Sequence, residues 1–325
     1  MTLNQEEHGP LLAVHSVDEF VFSVPDLGQA RHFYTSFGLD VRDEAGALAL
    51  HTFGHAHRWA RIVQADTKRL LWLSLGIYAE DLPRFERRLT QQGIQRIAAP
   101  SGAGTEGLWI QDPDGLAVQL RIAEKSSPSQ PSAREIPPEC ANAGRSPSRS
   151  RAQATRPLYL SHILLFSADV DSARRFYEDA LGLRLSDRSG SAIAFMHSPH
   201  GSDHHLIALA KSDGPGLHHS SWCVPSLDAV GIGAQQMVQA GYPQGWGLGR
   251  HVLGSNYFRY VRDPWGSYAE YSYDIDFVSP ASEWPAADHP GEDSLYVWGP
   301  ELPQDFVFNY ELCESLTRTG TRNTP

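Results

Sequence analysis

Two stretches decide the fold: VDEFVFSVPDLGQARHFYTSFGLDV (17–41) and LSHILLFSADVDSARRFYEDALGLRL (160–185). Each reads as an apolar strand, a turn at Asp26 or Asp169, and a short amphipathic helix carrying Ala-Arg-x-Phe-Tyr. A Gly-Leu pair then suits a helix C-terminus. Further on, GLWIQDPDGLAVQL (107–120) matches YFRYVRDPWGSYAEY (257–271), each a strand, an Asp-Pro-x-Gly turn and a strand. The two halves are a duplication. A shorter repeat lies inside the second half, where His162 is followed at +8 and +9 by Val170-Asp171, and His219 by Leu227-Asp228. The two histidines lie 57 residues apart, close to the length of one β-α-β-β-β unit. Four such modules are predicted, at about 15–66, 68–124, 157–212 and 216–279. The expected class is α+β: four βαβββ modules in two tandem domains, with mostly antiparallel, curled sheets around short helices.

The domain organisation follows from composition. Residues 1–124 hold the first module pair and 157–280 the second. Between them, 125–156 is rich in Ser, Pro and Arg without apolar periodicity, and reads as a flexible linker or surface loop. Residues 281–325 form a tail whose Trp298, Phe306 and Phe308 are expected to pack into a core, the alternatives being that they cover the pocket or pack at a subunit contact. With 325 residues the chain is long enough for two real cores, and its three cysteines (Cys140, Cys223, Cys313) make no disulfide framework. A net charge of −11 argues against a nucleic-acid or anionic-membrane partner. The N-terminus lacks the basic-then-apolar order of a signal peptide, and no run of 18 apolar residues occurs. A soluble cytoplasmic protein is expected.

Histidine is the unusual residue: eight of the 15 fall between Leu158 and Phe277, and none between Arg58 and Ser161. Aligning the halves puts Glu19 opposite His162 and Gln119 opposite Glu270, with nothing comparable opposite His219. Three coordinating residue types thus occupy repeat positions in the second half and are missing from the first. His162 and His219 are each expected to open the first strand of a module, with Glu270 on the last strand of the fourth. Two neutral imidazoles and one carboxylate on one face of an ion leave three adjacent positions open, the facial-triad arrangement of non-haem Fe(II) oxygenases, sometimes filled by Mn(II). Alternation along the strand turns His218 away from His219. His205, Ile207 and Leu209 are expected to share one strand face, and Cys223 to share that of His219 and Ser221.

The second half resembles the vicinal oxygen chelate superfamily, and within it the two-domain type I extradiol dioxygenases. The resemblance runs through LSHILLF, SDHHLIAL, LHHSSWCV, GLGRH and FRYVRDPWGSYAEY. It implies that His162, His219 and Glu270 bind Fe(II), with Mn(II) the alternative, and that the first domain has lost its metal site. It also implies catalytic roles: His205 as the acid–base histidine beside dioxygen, with His251 and Tyr260 contacting a substrate hydroxyl. The implied reaction inserts O2 into a catechol-type ring next to its two hydroxyls, giving a ring-opened semialdehyde or acid in aromatic-compound degradation. A small aromatic diol and O2 are the expected partners, and family likeness implies a homo-oligomer. One departure is Val252-Leu253-Gly254, where the family usually has Thr-Asn-Asp; it removes polar groups near the substrate. Two rival readings remain: a 4-hydroxyphenylpyruvate dioxygenase-like enzyme using the same triad, and a glyoxalase or bleomycin-resistance type of binding protein, for which Glu19 and Gln119 would have to matter.

Overall fold

A computed structural model describes residues 11–133, 141–142, 144–280 and 282–312. Cys140, Cys313 and part of the 125–156 segment lie outside the described residues. The first half runs β1 (Ser16–Val24), α1 (Leu27–Ser36), β2 (Asp40–Glu44), β3 (Ala47–His51), β4 (Ala60–Gln64), β5 (Arg69–Ile77), α2 (Leu82–Gln91), β6 (Leu108–Gln111) and β7 (Ala117–Ile122). The second runs β8 (Tyr159–Ser167), α3 (Val170–Asp179), β9 (Arg184–Ser189), β10 (Ile193–His197), β11 (Ser202–Asp203), β12 (Ile207–Lys211), β13 (Gly216–Cys223), α4 (Leu227–Gln239), β14 (Gly245–His251), β15 (Tyr257–Arg262), β16 (Tyr268–Tyr273) and β17 (Phe277–Val278). Then follow β18 (Ala287–Asp288), α5 (Gly291–Ser294) and β19 (Tyr296–Trp298). This is the α+β fold of tandem modules, except that the second module has only three strands.

The turns that the repeat picked out start and stop the helices. The side chains of Asp26, Asp169 and Ser226 accept from the backbone N–H of Gln29, Ser172 and Ala229, capping α1, α3 and α4. Gly38 and Gly182 follow α1 and α3 at φ +98° and +76°, a left-handed turn that a Cβ would strain. At Gly38 a Cβ would also strike the Thr155 carbonyl.

Strand order in the first sheet is β2-β3-β4-β1-β5-β7-β6; in the second it is β18-β9-β10-β12-β8-β13-β16-β15-β14-β19. The opening strands of paired modules lie antiparallel at the centre, and each runs parallel to the closing strand of its own module. The 281–325 segment is more than a tail, because β18 and β19 supply both edges of the second sheet. Alternation divides that sheet's faces: Ile163, Leu165, Ile207 and Leu209 join the main core with α3 and α4, while Leu164, Phe166, Ala208 and Ala210 turn to the opposite face. That second face carries the site.

The halves are locked by buried polar contacts as well as by a shared apolar core. The two Asp-Pro-x-Gly turns reach across: Asp263 pairs with Lys68 at 3.1 Å, and Asp112 accepts from the Tyr177 hydroxyl at 3.2 Å. Glu311 clamps both halves, taking the backbone N–H of Leu70 and of Leu217, each at 3.0 Å. Lys68 and Asp263 are both almost fully buried. Removing one partner of a buried pair leaves the other charge uncompensated, so Lys68→Met should lower folding stability by about 3 kcal/mol. Adding Asp263→Asn should recover part of that loss in urea denaturation; a further additive loss would show that the two do not act as a pair.

Candidate active site

Three neighbouring strands build the site by register. His162 on β8 faces Ser221 on β13, and Ser221 faces Glu270 on β16. His219 lies two residues from Ser221 and so shares that face. Each histidine is the fourth residue of its strand, rather than its opening residue as the sequence led one to expect. His162 Nε2 lies 3.3 Å and His219 Nε2 3.6 Å from the Glu270 carboxylate, and one ligand atom from each of the three falls within 4.8 Å of the others. All three side chains are buried.

A cation fits here. His219 Nε2 and Glu270 Oε2 are buried with no hydrogen-bond partner among the described residues, which is costly for such atoms unless something binds them. Burial opposes the Glu270 charge, but the neighbouring His162 and His251 rings hold its carboxyl below the usual range. Burial, with the neighbouring imidazoles of His218, His162 and His251, keeps His219 well below the ordinary histidine value and hence neutral, the ligating form.

Behind the ligands lies a layer that sequence reading missed. His218 Nε2–H donates to the Phe306 carbonyl at 2.8 Å, so in the neutral ring Nδ1 is an acceptor; it lies 2.6 Å from His219 Nδ1. The ladder slips between Leu217 and His219, and this bulge brings His218 to the site face, overturning the strand-alternation reading. His162 Nδ1 meets the Ser161 hydroxyl at 3.2 Å, and that hydroxyl donates to Asp203 at 2.5 Å. Asn256 donates to Glu270 Oε1 at 3.2 Å, supplying a polar group two residues past the apolar Val-Leu-Gly departure. The adjacent His-His dipeptides at 204–205 and 218–219 were the one available signal; Asp203 and Asn256 left none.

The remaining expected residues converge on the same cavity. His205 packs against His162 with the rings tilted by 45° and their centroids 3.9 Å apart. It lies before β12 and shares the cavity with Ala210, whereas Ile207 and Leu209 point into the core, so the shared face expected for the three does not form. Burial, then the surrounding histidines, keeps His205 far below the ordinary value. His251 Nδ1–H donates to the Leu295 carbonyl at 2.7 Å, leaving Nε2 to accept from the Tyr260 hydroxyl at 2.9 Å. Burial and then the Glu270 charge keep the Tyr260 phenol protonated. The rest of the cavity, about 90 Å³, is walled mostly by apolar side chains including Leu164, Phe195, Leu253 and Phe306, with His218, Asn256 and Ser294 the polar exceptions. Phe306 packs in an apolar cluster with Trp246, Phe258, Tyr260 and Tyr268 and walls this cavity, while Trp298 and Phe308 are exposed, so the expected core packing holds for Phe306 alone. Cys223 lies against Ser132 instead of approaching the ligands, and burial pushes its thiol up to about 11.

The first half shows what the same geometry becomes without ligands. By the same register Glu19, Ser74 and Gln119 replace His162, Ser221 and Glu270, and Trp72 stands where His219 does. Arg58, two residues before Ala60 as His205 is two before Ile207, points its Nε at Glu19, 2.5 Å away. A guanidinium supplies the positive charge, and Ser74 donates to Gln119 at 2.6 Å.

A family model described as the Glyoxalase/Bleomycin resistance protein/Dioxygenase superfamily matches residues 16–120 and 159–271. The chain is 47% identical over 304 residues to "Metapyrocatechase 2" of Cupriavidus necator, covering 93% of this chain and 94% of the relative. Among solved structures it is similar to a Mn(II)-bound glyoxalase from Novosphingobium aromaticivorans (24% identity, TM-score 0.71, 90% of this chain and 93% of that one). It is similar also to a 2,2',3-trihydroxybiphenyl 1,2-dioxygenase from Sphingomonas wittichii (19% identity, TM-score 0.70, 90% and 100%). These two structural likenesses bear on the fold.

The support behind His162 makes a pH-dependent prediction. Burial pushes the Asp203 carboxyl up from 3.8 to about 7, against the hydroxyl donors Ser161 and Tyr159. Above pH 4 the unfolded chain releases a proton that the folded chain keeps until about pH 7, so this group costs the fold increasing stability across that window. Asp203→Asn stays neutral throughout. Its Tm relative to the unsubstituted chain should therefore climb between pH 5 and pH 8; a pH-independent difference in calorimetry would refute the assignment.

Proposed function

The chain belongs to the Glyoxalase/Bleomycin resistance protein/Dioxygenase superfamily, and from that premise we propose that it cleaves the ring of a catechol-type diol with O2, outside the two hydroxyls. It is an extradiol dioxygenase acting in aromatic breakdown. The observation that carries the reading is the pair of orphaned ligand atoms on His219 and Glu270, converging with His162 at the wall of a cavity that also holds His205, His251 and Tyr260. The proposed ligands are His162, His219 and Glu270, and the proposed metal is Fe(II), with Mn(II) the alternative. Bound there, such a metal supplies Lewis acidity to the diol and an adjacent place for dioxygen.

The chain's own residues would then handle protons and orientation. Tyr260 gives its hydroxyl hydrogen to His251 and keeps oxygen lone pairs to accept from a substrate hydroxyl, so a proton leaving the diol has a path through Tyr260 to His251 Nε2. His205, neutral at rest, would take the other proton and return it to the reacting oxygen as the O–O bond breaks. Both oxygen atoms enter the product, so no reductant is needed. The glyoxalase or binding-protein alternative would draw on Glu19 and Gln119, but these are bonded to Arg58 and Ser74.

A cavity of about 90 Å³ with no Lys or Arg in its lining favours a single-ring, uncharged diol. Burying an unpaired carboxylate there would cost several kcal/mol. Iron-loaded protein should consume O2 with catechol or a methylcatechol, and a ring-carboxylated catechol should be slower in kcat/KM by about 10²-fold or more. Absence of both bound metal and O2 uptake would sink the dioxygenase reading. His205→Ala should keep its metal while kcat falls by roughly 10²–10⁴-fold; loss of metal together with activity would make it a structural residue instead.

A further inference from the structure

Five imidazoles meet the cavity or the ligand cluster, and four of them, His162, His205, His219 and His251, are held from behind at Nδ1, His218 being the group behind His219. The acceptors behind three of them are neutral or partly so. His219 leans on His218 and so on the Phe306 carbonyl, and His251 on the Leu295 carbonyl. His162 leans on Ser161, beyond which stands Asp203. His205 differs. Its Nδ1 lies 3.0 Å from His204 Nδ1, and His204 Nε2 lies 2.9 Å from Asp187 Oδ2. Asp187 receives three further donors from the C-terminal segment: Trp284 Nε1 at 3.2 Å, the backbone N–H of Ala287 at 3.0 Å and His289 Nε2 at 2.9 Å. Burial works against its charge, but the His204 and His289 donors and the others lower it to about 2. It is a carboxylate at any working pH.

We propose that Asp187 and His204 are positioning residues that fix the tautomer and ring orientation of His205. The inference rests on the acid–base role read for His205 above. The logic is one of donors and acceptors. A carboxylate only accepts, so His204 must present Nε2–H to Asp187. In its neutral form His204 then has a lone pair at Nδ1, and His205 must place its own proton on Nδ1 to meet it. The lone pair of His205 Nε2 is left for the cavity, which makes the resting ring a base aimed at the substrate. When that nitrogen takes a proton, the carboxylate two links away favours the cation formed. The ring read as returning a proton to the reacting oxygen is thus backed by a full negative charge, which a purely structural pair would not need. His204 is completely buried, so water cannot substitute for either link.

The test begins with metal-free protein labelled with ¹⁵N in histidine, at pH 7.5. The ring signals of His205 are identified by their loss in His205→Gln. The expected pattern is a protonated Nδ1 and an unprotonated Nε2; a proton on Nε2 overturns the proposal, whether or not any variant folds. Asp187→Asn is nearly isosteric and removes the negative charge that obliges His204 to present Nε2–H, so the single Nδ1–H form of His205 should give way in part to one carrying its proton on Nε2. In iron-loaded enzyme that variant should lose about 10²-fold or more in kcat, with KM for catechol within about threefold and metal content unchanged. His204→Phe should cost a similar factor, and the double variant little more than either single one, because both break one chain. Additive losses, or Asp187→Asn with the parent tautomer and kcat, would overturn the role. A parent enzyme that binds iron yet does not cleave catechols would defeat the dioxygenase reading, and the tautomer measurement would stand separately.

Discussion

The hydrogen bond at the back of each imidazole is the constraint on which the site depends. An imidazole has two nitrogens, and only one can point at a metal or a substrate. Here Nδ1 of His162, His205, His219 and His251 is engaged by the protein, so Nε2 remains for the interior. For His219 and His251 the acceptor behind can do nothing but accept in that arrangement, which leaves one tautomer. A ring free to flip would offer an N–H to a cation about half the time. Burial does the complementary work: it holds His205, His219 and His251 below the ordinary histidine value, which limits repulsion among them.

The duplication lets the candidate metal site be read by contrast. Both halves place the same strands in the same register, so the sheet alone does not make a metal site. Where the second half has His162 and Glu270, the first has Glu19 and Gln119, and Arg58 occupies the position of His205. Both constellations solve one problem, a buried carboxylate that needs positive charge. The first solves it with a guanidinium on its own chain. The second leaves two polar atoms unsatisfied, which is tolerable only if a cation arrives.

Much of this was legible in the sequence because it was written in repeats. His162, His219 and Glu270 stood at equivalent module positions, and their asymmetry between the halves singled them out. The errors came where a regular strand stops being regular. Alternation placed His218 outward, but a one-residue slip of β13 against β8 turns it inward. Alternation likewise grouped His205 with Ile207 and Leu209, but the chain bends at His204 and Leu206 before β12 begins. Asp187, Asp203 and Asn256 could not be found by pattern at all. Each earns its place through contacts between residues 14 to 42 positions apart, and acidic or amide side chains at such positions carry no periodic mark.

The C-terminal segment ties these strands of argument together. Sequence reading treated it as an addition to the catalytic module pair, with aromatic residues suited to a core. In the structure it provides the Leu295 carbonyl behind His251, the Phe306 carbonyl behind His218 and three of the donors on Asp187. His205, His219 and His251 are therefore each backed, directly or through one further residue or two, by a segment that holds none of the candidate ligands. The same segment adds strands to both edges of the sheet and, through Glu311, clamps the two halves. A catalytic residue list drawn from the modules alone would thus name the groups that react while leaving out the chain that decides which nitrogen each of them presents.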